Sequence, residues 1–167
     1  MLSKTEFKHL FDTHFDAIRS FIFYRCGNMD VASDMAQDVF MKVWEKREQL
    51  SSDNLKALLY KIANDLVISN YRKETTRNDY AQSMTMETSD SLSPEEELAF
   101  QELKESYANV LEKMPEGQRI VFLMSRNDEL KYHEIADNLG ISVKAVEKRM
   151  SGALQLLRTE LLLTEER

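Results

Sequence analysis

Between Val143 and Arg158 the chain carries four basic side chains, Lys144, Lys148, Arg149 and Arg158, against one acid, Glu147. Cations at that density can neutralise phosphates, and Lys and Arg can also donate to guanine edges in a duplex groove. Charge alone describes an ordinary solvated helix face equally well. What separates the two readings is the run that begins at Tyr132. There Ala136 is small where two helices must cross closely. Gly140 follows Leu139 at a helix end that needs positive φ. Ile141 plugs the corner, Ser142 caps the next helix, and Val146 anchors that helix to the one before. This is the pattern of a helix-turn-helix, which aims its second helix into a major groove. The candidate contacts are Ser142, Lys144, Ala145, Lys148 and Arg149.

Other chemistry finds little material. The three histidines, His9, His14 and His133, are dispersed. His9 and His14 are five apart, so they do not share a helix face as two metal ligands at i and i+4 would. His133 lies inside the helix-turn-helix scaffold. Cys26 is the single cysteine; it can form no internal disulfide and reads as a buried thiol. No glycine-rich phosphate loop is present. Neither a metal nor a cofactor is expected, and the chain does not read as an enzyme.

The 167 residues suffice for one ordinary domain or two small ones. With four Gly and two Pro, the composition favours long helices over a turn-rich β fold. No apolar run approaches the roughly 20 residues that span a bilayer. The opening residues lack a signal peptide's apolar stretch, so a cytoplasmic protein is expected. The net charge of −7 is unevenly placed. Residues 1–75 balance 11 basic against 11 acidic groups, whereas 76–97 hold Arg77 against six acids. A nucleic-acid surface needs only local positive potential, because screening confines charge effects to about 8–10 Å.

These candidates must be positioned by helices. Ser3 and Glu6 form a capping box, followed by Phe7, Leu10, Phe11, Ile18, Phe21 and Ile22 at helical spacing. Gly27-Asn28 breaks the segment, and Asp30 is the expected cap of the next. There Val31, Met35, Val39, Phe40, Val43 and Trp44 should face a core. Asp34, Gln37, Asp38, Lys42 and Glu45 lie on the other face. After Ser51-Ser52-Asp53 a third helix should run from about Leu55 to Arg72, with an apolar stripe from Leu55 to Val67. Residues 76–92 show no periodicity and read as a linker too polar to fold alone. Ser93-Pro94-Glu95-Glu96 then signals a helix start. Four further segments follow: one marked by Leu98, Leu103, Tyr107, Val110 and Leu111, then Gln118 to Arg126, Tyr132 to Leu139, and Val143 to about Leu163. The fold class is therefore all-α, with a three-helix domain over 1–75, a flexible acidic linker over 76–97, and a four-helix domain over 98–167 containing the helix-turn-helix.

Three motifs in this order resemble the extracytoplasmic-function group of bacterial RNA polymerase sigma factors. The stretch Ala32 to Arg47 is similar to the family's polymerase-binding region, matched at Asp34, Gln37, Asp38, Phe40 and Trp44. The stretch Leu59 to Lys73 resembles its minus-ten recognition region, matched at Ile62, Ala63 and Asn64 and again at Tyr71-Arg72-Lys73. Met114 to Arg158 resembles the reader of the minus-thirty-five element. The resemblance leaves only the linker and the termini unmatched. Glu147 and Ser151-Gly152 stand where family members often carry Arg.

The resemblance implies a subunit that binds core RNA polymerase and directs initiation at particular promoters. Asp34, Gln37, Asp38 and Lys42 would dock on the clamp of the polymerase's largest subunit. Asn64, with Asp65 beside it, would meet the edge of a base flipped from the stack. Ser52, Asp53 and Asn54 would form the loop holding that base. Lys61, Arg72 and Lys73 would meet phosphates. Tyr60 and Tyr71 can stack on bases or pack internally, and their helical spacing favours packing. The acidic linker would thread a basic channel or serve as a plain tether. An anti-sigma protein is a further partner the family implies. The alternative is a helix-turn-helix regulator of the response-regulator type, acting without being a polymerase subunit. Its recognition helix looks similar, but the first 75 residues lack the β-α alternation of a receiver domain.

Overall fold

The computed structural model describes residues 1–70, 80 and 92–165. The chain is all-α, with seven helices and no strand among the described residues. It divides into two compact units, the first built on α1 (Lys4–Cys26), α2 (Met29–Glu45) and α3 (Leu55–Asn70). The second is built on α4 (Pro94–Lys113), α5 (Glu116–Arg126) and α7 (Val143–Glu165), together with the first turn of α6 (Tyr132–Leu139).

In the first unit, α1 starts at a complete capping box: Glu6 N–H donates to Ser3 Oγ and Ser3 N–H to Glu6 Oε2. The helix ends at Gly27, whose φ of 69° suits a residue without Cβ. The cap of α2 differs from the sequence expectation. Asn28 takes that position, its side chain accepting from Val31 N–H at 3.0 Å, and Asp30 falls in the first turn. An Asn directly before a helix caps it well, because its short side-chain carbonyl reaches a free N–H of the first turn.

The buried stripe of α2 is also shifted. Ala32, Ala36, Val39, Phe40 and Val43 are buried, while Val31 is exposed and Met35 half-buried. The two alanines let the backbones of neighbouring helices approach near the start of α2, ahead of the larger Val39, Phe40 and Val43 on the same face. Phe7, Phe11 and Phe15 from α1 surround Phe40, and Phe7 also meets Trp44 at 4.8 Å between centroids. Phe40 is buried and Trp44 half-buried with the Arg47 guanidinium over its ring, so both act as packing groups. Each fully buried large apolar side chain contributes about 1.5–3 kcal/mol. Cys26 is half-buried rather than buried, and its thiol donates to the Asn28 carbonyl.

In the second unit, Ser93 and Glu96 form another complete capping box, with Pro94 in the first turn. That turn takes in Glu95, Glu96 and Glu97, where acids suit the positive end of the helix. Val110 and Leu111 bury themselves, whereas Leu98 and Leu103 are exposed, contrary to the expected stripe. A buried arginine closes the other end of α4: Arg119 donates to the carbonyls of Leu111 and Met114, and its guanidinium lies 4.7 Å from the Tyr80 ring centroid. Tyr80 itself is buried. Of the stretch expected to be a linker over 76–97, residues 94–97 instead form the first turn of α4 behind the Ser93 cap, because the capping box and Pro94 start the helix there. Residues 76–79 and 81–91 lie outside the described residues.

Two glycines carry opposite expectations. Gly140 has φ +66° with no neighbour where a Cβ would stand, so conformation rather than space demands glycine. Gly140→Ala is expected to cost roughly 1–2 kcal/mol, read as a lower thermal midpoint. Gly152 sits inside α7, and a Cβ there would meet the Gln118 amide at 2.5 Å. That amide is the far end of a flexible side chain and can swing aside. Gly152→Ala should therefore recover up to about 1 kcal/mol of helix propensity. The same denaturation experiment checks both.

Candidate docking face and nucleic-acid interface

On α2, Asp34, Gln37, Asp38 and Lys42 are all exposed, and their 3- and 4-residue spacing places them on one side of the helix. Neither carboxylate enters an ion pair among the described residues. Met41 belongs to the same side and is 58% exposed. Between α1 and α2 an apolar groove of about 760 Å³ opens beside this side, lined by Phe7, Phe11, Phe40 and Trp44, with Gln37 and Met41 in its wall. The charged set therefore borders an apolar surface. Sequence reading found the charges and missed Met41 and Phe11, which periodicity assigns to a generic helix face and a generic core.

The turn between α2 and α3 exposes Ser52, Asp53 and Asn54. Asn54 adopts φ 60°, a region Asn tolerates better than most residues, and its carbonyl accepts from Leu58 N–H at 3.1 Å to start α3. Along α3, Lys61 and Asp65 are exposed and Asn64 is half-buried, with Ala63, Leu66 and Val67 buried on the other side. Ile68 continues this outward face and is 64% exposed. Tyr60 is buried, its ring edge-on to Phe21 at 5.2 Å, so it is a packing residue. Tyr71, Arg72 and Lys73 lie outside the described residues. Asn64 does not stand alone: its Oδ1 accepts from Arg25 of α1 at 2.7 Å. Nothing in the spacing of Arg25 announced this contact.

His14 belongs to a smaller pocket that reaches Ser52 and Leu55. Burial first, then Lys56 and His9, push its pKa below the ordinary 6.5. The folded state thus prefers neutral His14. Stability from this group is present above about pH 6.5 and is lost as pH falls from there through the lowered folded value. A pH series of thermal midpoints should drop on acidification across that window, and His14→Gln should flatten the drop.

In the second unit the corner is built as expected. Ile141 N–H donates to the Ala136 carbonyl at 3.1 Å, Ala145 N–H donates to Ser142 Oγ at 3.1 Å, and Val146 N–H donates to the Ser142 carbonyl. Ile135, Ala136, Val146, Met150 and Ala153 are buried, which fixes α7 against its neighbours. The opposite face of α7 exposes Ser142, Lys144 and Lys148, with Ala145 and Arg149 half-buried. Neither lysine enters an ion pair among the described residues. Arg149 lies along Gly117 in the first turn of α5, where a Cβ would stand 3.4 Å from its Cζ. The bare backbone at Gly117 leaves the guanidinium room. Among the described residues no three His, Cys, Asp or Glu side chains could hold a metal together, and no helix is long and apolar enough to cross a membrane.

One of the two units thus carries a helix-turn-helix, the arrangement that presents a helix to a duplex groove. The family model for sigma-70 region 2 matches residues 10–77, and that for sigma-70 region 4 matches residues 104–157. The ferric citrate uptake sigma factor FecI of Escherichia coli is 27% identical over 150 residues, covering 89% of this chain and 87% of its own. The ECF RNA polymerase sigma factor SigW of Bacillus subtilis is 27% identical over 167 residues, covering 93% and 88%. A solved structure of the sigma factor RpoE with the anti-sigma factor NepR, from Bartonella quintana, superimposes with a TM-score of 0.62 at 22% identity. It covers 93% of this chain and 96% of that one, and shows the shared fold. The chain belongs to the extracytoplasmic-function sigma factors. It is a sigma factor directing promoter-specific transcription initiation, and the response-regulator alternative is not favoured. None of these family descriptions names a catalytic activity.

Proposed function

We propose a division of labour between the two units. The first unit, over 1–75, seats on core polymerase through Asp34, Gln37, Asp38 and Lys42 and reads the minus-ten element with Asn64. Asp65 flanks that side chain, Ser52, Asp53 and Asn54 hold the flipped base, and Lys61, Arg72 and Lys73 meet phosphates. The second unit, over 98–167, reads the minus-thirty-five element with Ser142, Lys144, Ala145, Lys148 and Arg149. The stretch before α4, from residue 76 to the Ser93 cap, joins them. The protein works in the cytoplasm by binding alone, with no reaction of its own, and an anti-sigma protein of the kind that holds RpoE restrains it.

One observation supports this reading. Every proposed contact residue that the structure describes is exposed or half-buried, on helices and a turn whose other faces form the two cores. Surface side chains of that kind are available to macromolecular partners without unfolding. The test is run-off transcription by core polymerase on a promoter library, with and without the protein. The reading expects defined transcripts only in its presence, from templates sharing two separated elements. Transcripts that need neither element would contradict it.

A further inference from the structure

Asn64 is half-buried on α3, and its Oδ1 accepts from Arg25 Nη1 at 2.7 Å across 39 residues of sequence. A guanidinium carries five N–H donors in one plane and no acceptor. The Asn64 amide must therefore turn its oxygen toward Arg25, which leaves the two Nδ2 hydrogens for whatever lies outside. Arg25 is itself held, its guanidinium 5.8 Å from the centroid of Phe21. Phe21 packs edge-on against Tyr60, which lies one helical turn before Asn64 on α3. Tyr60, Phe21, Arg25 and Asn64 thus close a ring of contacts between α1 and α3. Locking a side chain in this way reduces the entropy it would lose on meeting a ligand.

We propose that Arg25 is a positioning residue that fixes Asn64 as a hydrogen-bond donor, so that this site selects a promoter base by the acceptor atoms on its exposed edge. The inference rests on the reading of Asn64 as a base-contacting side chain. A free asparagine amide can flip and present either a donor or an acceptor, and so discriminates poorly between base edges. An amide pinned through its oxygen cannot flip. Its Nδ2 rewards an acceptor and leaves an opposing base amine without a partner.

The experiment is promoter-library transcription by the holoenzyme containing full-length protein, with thermal denaturation confirming that each variant folds. Asn64→Ala locates the template position that this residue reads. Arg25→Ala should flatten the preference there by roughly fivefold to tenfold, since one hydrogen bond is worth about 1 kcal/mol. Arg25→Lys, which also only donates, should restore it. Asn64→Asp keeps Arg25 and should form a charged pair with it. It turns an acceptor outward, and should move the preference toward bases presenting an amine or imino hydrogen. Arg25→Gln, which can accept from the Asn64 amide as well as donate to it, frees the amide to flip and should flatten the preference even where Arg25→Ala folds poorly. If Asn64→Ala alters no position, the base-reading role fails and the proposal with it. If Asn64→Ala alters one position while Arg25→Ala leaves that preference intact, or Asn64→Asp keeps the acceptor preference, Arg25 does not position Asn64 and the proposal alone is overturned.

Discussion

Reversing both charges, Asp34→Lys with Asp38→Lys, should weaken binding to core polymerase by about 100-fold or more while leaving the thermal midpoint unchanged. Both carboxylates are exposed on one side of α2, and the buried stripe of Ala32, Ala36, Val39, Phe40 and Val43 lies elsewhere on the helix. Their replacement therefore touches no packing, and surface changes away from such features usually stay within about 0.5 kcal/mol. A partner surface that complements two carboxylates is basic; setting like charges against it costs several kcal/mol, and about 2.7 kcal/mol is already 100-fold. A pull-down or anisotropy titration with core enzyme measures the affinity. Unchanged affinity with an unchanged midpoint would remove this face from the interface.

The second large effect belongs to α7. Lys148→Ala with Arg149→Ala should reduce the magnitude of the log-log salt slope of upstream-element binding by about 2, because each cation lost releases roughly 0.9 fewer counterions. Affinity at low salt should fall accordingly. The two side chains contribute differently. Lys148 is exposed, so its loss should weaken binding evenly across sequences. Arg149 is half-buried along the Gly117 backbone. Loss of Arg149 should also relax base preference at one position, as expected for a bidentate reader. A salt titration of each single variant separates these contributions. An unchanged slope for the pair would mean that this helix face points away from phosphates.

The parts of the molecule that could be read from sequence are those set by local chemistry. The corner at Gly140 and Ser142 was legible because each residue there acts within four positions of itself, through a positive φ or a cap. The capping boxes at Ser3 and Ser93 were legible for the same reason. The shared surface of Asp34, Gln37, Asp38 and Lys42 followed from helical spacing alone. What escaped was decided by contact between elements. Val31 looks more like a core residue than Ala32, yet close approach of helices selected the alanine. Leu103 keeps the helical spacing of Tyr107, Val110 and Leu111 whereas Leu98, five residues earlier, does not, and no neighbouring helix covers either enough to bury it. Arg119 is buried because the carbonyls ending α4 accept from it, and a charged residue carries no sign of that in its own sequence neighbourhood. The Arg25–Asn64 pair spans two helices, so one sequence could show Asn64 as a candidate but not the residue that orients it.

The most direct measurement compares base preferences of three holoenzymes on one promoter library: the natural chain, Asn64→Ala, and Lys148→Ala with Arg149→Ala. The account predicts that the first substitution changes preference only within the downstream element and the double substitution only within the upstream one. A change that crosses from one element to the other, or an even loss at both, would contradict the assignment of one element to each unit.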